Sequence, residues 1–392
     1  MDLQLPFEGL KVVDLSQGIA GPYCTQILWQ QGAEVIKVEP FSGDWGRHVG
    51  AVKNGHSAVS ISYNAGKKSV AIDAKKDAGR ELIKKLITTA DIVVQNFRPG
   101  VVKRLGLDYE SVRNLNPEMI YMSISGYGED GPYAQSPASD SVMQADSGLM
   151  FTNRTRKGEP KRIGMLLADI ATALYATQLI TVALYQRLKF KKGTHLELNL
   201  LQACSALQIN DIASVAIEGV KPNEAVSAPN GVFECADGSI TVLALNDNQF
   251  ERVCKALGRE EWLRDERFKD NRSRMSNKEW LHQELAAILK QKNRTYWEKS
   301  FKEYAVLHAP VRDYESLMKH PQALQQEIFQ SISQPSVGNL PLPGIPGPKS
   351  LRRSLSAAPA VGEHTEEILL KNGVKQRDYE QLIQEDVVWQ AS

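Results

Sequence analysis

Asp169 is the only charged residue between Arg162 and Arg187, in the run GMLLADIATALYATQLITVALYQR. A lone carboxylate at the head of an apolar helix costs several kcal/mol in lost hydration unless something stabilises its charge. At an N-cap the first free backbone N–H groups and the positive end of the helix dipole would supply that stabilisation. The expectation is therefore an ionised, fixed and partly dehydrated Asp169, the attributes of a nucleophile that forms acyl intermediates. The plainer reading is a helix cap and nothing more, the commonest job of an Asp in that place. A membrane span needs about 20 apolar residues. Here Asp169, Thr172, Thr177 and Gln178 interrupt the run, no second such segment exists, and the mean hydropathy is −0.33, so a buried core helix is expected.

Four loops could hold a ligand, because each follows a predicted strand, and parallel sheets gather ligands at strand carboxyl ends. They are QGIAGP, DAKK, NFRPG and GYGEDGPY. Gly18 and Gly21 allow close backbone approach, Lys75, Lys76, Arg98 and Arg104 offer charge for phosphates, and Phe97 or Tyr127 could face an adenine ring. A phosphorylated, adenine-bearing ligand fits that set, although QGIAGP is not the GxGxxG dinucleotide fingerprint.

The elements that must position these residues alternate short β-type runs with amphipathic helices, the pattern of a parallel sheet flanked by helices. KVVDLS, EVIKVEP, SVAIDA, DIVVQNF, MIYMSISGYG and GTHLELNLLQ read as strands. Pro22 suits the first position of a helix reaching about Gln31, and DAGRELIKKLITTA reads as another. The fold class is thus α/β, with a Rossmann-like large domain over residues 1–215 and a smaller α+β domain over 231–330. Residues 216–230 and the Pro/Gly-rich 331–350 read as linkers, and 351–392 as a C-terminal segment.

Composition narrows the function class. Lys+Arg number 47 against 46 Asp+Glu, so no net field recruits nucleic acid or an anionic membrane, and clusters such as Gly66-Lys67-Lys68 read as solvated faces. Cys24, Cys204, Cys235 and Cys254 form no CxxC pair, and the seven histidines show no HxxxH or HExxH spacing, so no metal site is expected. There is no GxSxG elbow and no phosphate loop of the GxxxxGK[ST] type. Scattered cysteines and an opening MDLQLPFEGL without signal-peptide character lead to an expected cytoplasmic location.

The phrases GLKVVDLSQGIAGPYCTQIL, GAEVIKVEP, GKKSVAIDAKKDAGRELI, ADIVVQNFRPGVVKRLGLDYE, LNPEMIYMSISGYGEDGPY, LLADIATALYA and GEHTEEIL together resemble class III CoA-transferases of the CaiB/BaiF type, over nearly the whole chain. The resemblance implies transfer of coenzyme A from an acyl-CoA to a free carboxylic acid. Asp169 would form an aspartyl anhydride and then an aspartyl-CoA thioester, with QGIAGP amides stabilising the oxyanions. It implies acyl-CoA contacts at Ile19, Ala20, Ile72, Asp73, Ala74, Lys75, Asn96, Phe97, Arg98 and Arg104. It further implies an interlocked, ring-like homodimer, with the C-terminal segment returning to the large domain.

Two departures bear on substrate. Formyl-CoA and oxalate members of that family carry glutamine where this chain has Ile19, and the glycine-rich loop of their small lobe is absent here. An acid less polar than oxalate is expected. The alternatives are a 2-methylacyl-CoA racemase-like isomerase and a non-enzymatic acyl-CoA binding protein. The first needs a histidine base where this chain has Ala138-Ser139-Asp140, and serine cannot replace imidazole near neutral pH. The second needs Asp169 to be structural only. A nicotinamide oxidoreductase lacks its fingerprint.

Overall fold

The computed structural model describes residues 5–155, 158–219 and 226–391. Buried residues run almost unbroken along the inner strands, and their side chains point alternately to the two faces, as a two-residue period requires of a sheet covered on both sides. Val12, Val35, Ile92, Val94 and Met122 enter one core cluster. Val13, Ile36, Val38, Val93 and Tyr121 enter the other. Six strands run parallel: Lys11–Asp14, Glu34–Glu39, Lys68–Ile72, Ile92–Gln95, Ile120–Ser125 and Thr194–Asn199. Numbered in that sequence they lie in the order 3-2-1-4-5-6 across the sheet. This is the doubly wound order, and its switch point falls between Lys11–Asp14 and Ile92–Gln95, where ligand crevices form. The short strand Val388–Trp389 pairs antiparallel with Lys68–Ile72 and covers that edge.

The helix Ala20–Gln30 begins earlier than expected, so that Pro22 is its third residue rather than its first. Proline fits there because first-turn amides have no intrahelical acceptor to lose. The helix Leu167–Phe190 is long and apolar enough to cross a membrane. Half of that stretch is buried, however, and Ala168, Ala173, Ala176, Ile180 and Leu184 lie in the first core cluster with the sheet. Its buried threonines return their hydroxyls to the preceding turn, Thr172 to the Ala168 carbonyl at 2.7 Å and Thr177 to that of Ala173 at 2.9 Å. Asp169 is the third residue of this helix, not its N-cap, which is Leu166.

The chain divides into two compact units, Met1–Val220 with Glu327–Ser392, and Lys221–Gln326. The second carries an antiparallel sheet in the order Leu307–Pro310, Gly238–Leu243, Asn230–Cys235, backed by helices and a core around Phe250, Trp262, Phe268, Trp297 and Phe301. Within the first linker, residues 220–225 lie outside the described residues, and Ile209–Glu218 is helical up to that point. The second linker is a correction. Most of 331–350 belongs to a hairpin of the large unit, Phe329–Gln334 paired with Gly338–Pro343. Proline and glycine exclude a helix there, yet an outer strand tolerates Pro341 and Pro343 where no ladder donor is needed.

Candidate active site

A buried ion network shapes the loop at the switch point. Asp14, at the end of its strand, accepts hydrogen bonds from the Ser16 amide at 3.0 Å, from Thr25 at 2.7 Å and from Lys67 at 2.8 Å. Lys37 projects from the neighbouring strand, pairs with Asp44 at 2.9 Å and donates to the Ser16 carbonyl at 2.8 Å. Asp44 in turn accepts the Gly18 and Gly46 amides, each at 2.8 Å. Glu39 receives Arg47 through two bonds, at 2.7 and 2.9 Å. Asp14, Glu39 and Asp44 are thus balanced by Lys37, Arg47 and Lys67, all buried. Burial alone would raise the Asp14 carboxyl, but Lys67 and Lys37 hold it far below the usual carboxylate range. Burial pushes Lys67 down to about 8, against the pull of Asp14. The expected solvated face at Gly66-Lys67-Lys68 is therefore wrong at Lys67, whose ammonium also bonds the Pro22 carbonyl and Asn64.

Two glycines are needed for this loop to close. Gly18 has φ +76°, and a Cβ there would lie 2.0 Å from the Trp45 ring. A Cβ on Gly21 would lie 2.2 Å from the Ser16 Cβ, so the helix could not approach the strand end.

The loop forms one wall of a cavity of about 610 Å³, and Asp169 lies on the same cavity. Ile19, Ala20, Asn96, Phe97 and Arg98 share it, together with Ser139 and Asp140. Among the described residues no histidine lines it. Asp140, rather than Asp169, caps the long helix. Its Oδ2 accepts the Ala168 amide at 2.8 Å and the Asp169 amide at 3.5 Å. Deprived of cap bonds, Asp169 is not held ionised as expected. Burial, and then the charge of Asp140, push its carboxyl up to about 7.

The other expected ligand residues divide. Asn96 braces the loop, giving Nδ2 to the Gln17 carbonyl at 2.7 Å and taking the Gln17 amide at 2.8 Å. With Asp44 holding Gly18, the amides of Gln17 and Gly18 are already occupied, which leaves those of Ile19, Ala20 and Gly21 at the helix start, where amides have no intrahelical acceptor. Arg98 is exposed at the cavity. Ile72, Asp73, Ala74, Lys75 and Arg104 do not line it. Ile72 is buried in the second core cluster, Asp73 caps the Lys75 amide at 3.0 Å, Ala74 packs beside that cluster, and Lys75 and Arg104 are exposed. Lys76 is spent on the carbonyls of Glu385 and Asp386. Tyr127 donates its hydroxyl to Asp146 at 2.8 Å and lies outside the cavity.

The family model described as CoA-transferase family III matches residues 7–365. The chain belongs to this family. It is 35% identical over 375 residues to a human protein named succinyl-CoA:glutarate CoA-transferase, covering 93% of this chain and 85% of that one. An Agrobacterium fabrum protein named succinate–glutarate CoA-transferase is 32% identical over 381 residues, covering 93% and 95%. A crystal structure of a CaiB/BaiF family protein from Brucella suis superposes with a TM-score of 0.86 at 32% identity, covering 94% of this chain and all of that one. The protein is accordingly a CoA-transferase, and acyl-CoA is its substrate class.

What sequence reading missed in this CoA-transferase is Asp140 as a cap, and the ion network. Lys37 carries the one available signal. A lysine inside EVIKVEP, a strand buried on both faces, requires a buried acid. Nothing in the sequence says that Asp140 meets a helix 28 residues further on.

Proposed function

We propose that this enzyme transfers coenzyme A between carboxylic acids through covalent intermediates on Asp169. One observation carries the reading: the Asp169 carboxyl, free of protein donors among the described residues, shares a cavity with the switch-point loops that begin Gln17 and Asn96. The ionised carboxylate attacks the donor thioester carbonyl, the C–S bond breaks, and CoA leaves as thiolate. The thiolate then attacks the aspartyl carbonyl of the anhydride, expelling the donor acid and leaving an aspartyl-CoA thioester. The acceptor carboxylate attacks that thioester, and the returning thiolate takes the acceptor acyl group, restoring the Asp169 carboxylate. No electrons are gained or lost. Amides of Ala20 and Gly21 stabilise the oxyanions, and Arg98, with Lys75 and Arg104, receives the CoA phosphates.

Succinyl-CoA as donor and a longer dicarboxylate such as glutarate as acceptor are supported by the names of two relatives and by Ile19, a buried apolar residue on the cavity wall. We further propose a cytoplasmic homodimer that is interlocked. The dimer is supported by apolar faces left uncovered on Leu167–Phe190 and Ile209–Glu218, where Val182, Tyr185, Leu188, Ile209, Ile212 and Ile217 are exposed. Absence of histidine from the cavity disfavours the racemase reading.

The decisive experiment is mass spectrometry of the intact protein after incubation with succinyl-CoA, with hydroxylamine trapping and peptide mapping. An adduct on Asp169, and loss of about 10³-fold or more of succinyl-CoA:glutarate transfer in Asp169→Ala, are expected. Full transfer by Asp169→Ala would sink the mechanism, and α-deuterium exchange without transfer would install the isomerase in its place.

A further inference from the structure

The helix that carries Asp169 is capped from outside. Its N-cap residue, Leu166, contributes no side-chain bond, and Asp169 makes none back to its own turn. A carboxylate at the third helical position commonly folds back onto the N-cap amide in a capping box. Here the acceptor is Asp140, 5% exposed, at the start of the helix Asp140–Asp146. Its second oxygen is fixed by the Gln144 amide at 2.8 Å. Gln144, itself fully buried, also accepts the Ile163 amide at 2.9 Å and donates to the Met165 carbonyl at 3.1 Å. One short helix thus clamps both the approach to the nucleophile's helix and its first turn.

We propose that Asp140 is the positioning residue of Asp169: its Oδ2 takes over the capping of the nucleophile's helix, so that the Asp169 carboxylate stays off the backbone and free to attack. This rests on the assignment of Asp169 as nucleophile. The arrangement has a second consequence, because the cap is itself an acid. A neutral cap would hold the turn equally well, whereas a charged one raises the basicity of the carboxylate beside it. A more basic carboxylate is the better nucleophile once ionised, and the exchange between two thioesters of similar energy tolerates a half-ionised resting state near neutrality. Other groups in this electrostatic neighbourhood are Tyr63, Cys204 and Arg162. Tyr63 is raised to about 12 by burial and, in smaller part, by Tyr23, Asp169 and Asp140. Cys204 is raised by burial first, with Asp140 and Asp169 adding to it. The Arg162 guanidinium stands 3.8 Å from Asp140 Oδ1 at the exposed rim.

The test is the pH profile of succinyl-CoA:glutarate transfer by the full chain, for wild type, Asp140→Asn, Asp140→Ala and Asp169→Ala. Asparagine keeps an oxygen acceptor for the Ala168 amide and removes the charge. Asp140→Asn is expected to hold kcat within about 3-fold of wild type at its optimum, while the acid limb moves down by roughly one pH unit. Asp140→Ala is expected to lose about 10- to 100-fold in kcat with KM changed by less than about 3-fold, because the carboxylate is misplaced rather than the substrate unbound. An acid limb that stays put in Asp140→Asn overturns the proposal, and that variant decides alone if Asp140→Ala does not fold. Inactive Asp169→Ala alongside unaltered Asp140 variants sinks this inference only. Active Asp169→Ala, or wild type without transfer, sinks the nucleophile assignment and this proposal with it.

Discussion

Two groups of acids, one behind the QGIAGP loop and one lining the cavity it walls, are treated oppositely. Beneath the QGIAGP loop, Asp14, Glu39 and Asp44 each have a buried cation in contact, Lys67, Arg47 and Lys37 respectively. Lining the cavity, Asp140 adds a like charge beside Asp169, while Arg162 stands 3.8 Å from Asp140 and the exposed Arg98 lies on the same cavity. The residue type is the same; compensation differs. A carboxylate with a cation in contact is engaged in shaping backbone, as Asp44 shapes Gly18. The Asp169 carboxyl, with no such cation among the described residues, keeps its proton to near neutrality, and perturbed carboxyls of that kind mark sites.

The comparison can be broken hardest at its compensated side. Lys67→Met leaves Asp14 buried without the cation in contact with it, and is expected to cost about 3–5 kcal/mol of unfolding free energy in urea titration. Adding Asp14→Asn should recover at least half of that loss, and failure to recover would show that packing, not charge, made the difference.

At the uncompensated side the sign reverses. The folded-state pKa of Asp169 lies above its unfolded value, so the native protein binds the extra proton and loses stability as pH rises from about 4 through 7. Asp169→Asn is therefore expected to stabilise the protein at pH 8 by about 1–3 kcal/mol, a figure that allows for partial exposure, and to do nothing at pH 4. Equal effects at both pH values in thermal unfolding would contradict the assignment.

Activity sharpens the same contrast. If Asp169 is the nucleophile proposed above, attack requires its ionised form, and transfer is expected to rise with pH through about 7, a tenfold loss per unit setting in below it. The smallest effect is expected at an exposed pair, Lys68 with Glu367 at 2.5 Å, where Glu367→Gln should change stability by less than about 1 kcal/mol. A larger change there would mean that exposed pairs matter as much as the buried network.

Much of the framework was legible in the sequence, because buried parallel strands write themselves as Val/Ile runs and Gly/Pro-bearing loops punctuate them. Asp169 was legible for a similar reason, as a charge standing alone in an apolar stretch. The hairpin at Phe329–Pro343 was not, since alternation is weak where proline and glycine crowd both strands. Lys67 misled because a charge next to another charge reads as surface, and its acid lies 53 residues away.

The sequence by itself determined the α/β framework, the glycines that the switch-point loop cannot do without, and the isolation of one carboxyl, Asp169, in an apolar stretch, since each depends on local pattern. Only the tertiary structure decided that Asp140 caps the Asp169 helix, that Asn96 and Asp44 consume the loop amides, and that Asp169 therefore titrates near neutrality. Those facts depend on which buried donors and charges meet across long chain separations, and hydrogen-bond satisfaction in a low-dielectric interior is a property of the assembled neighbourhood, not of any segment.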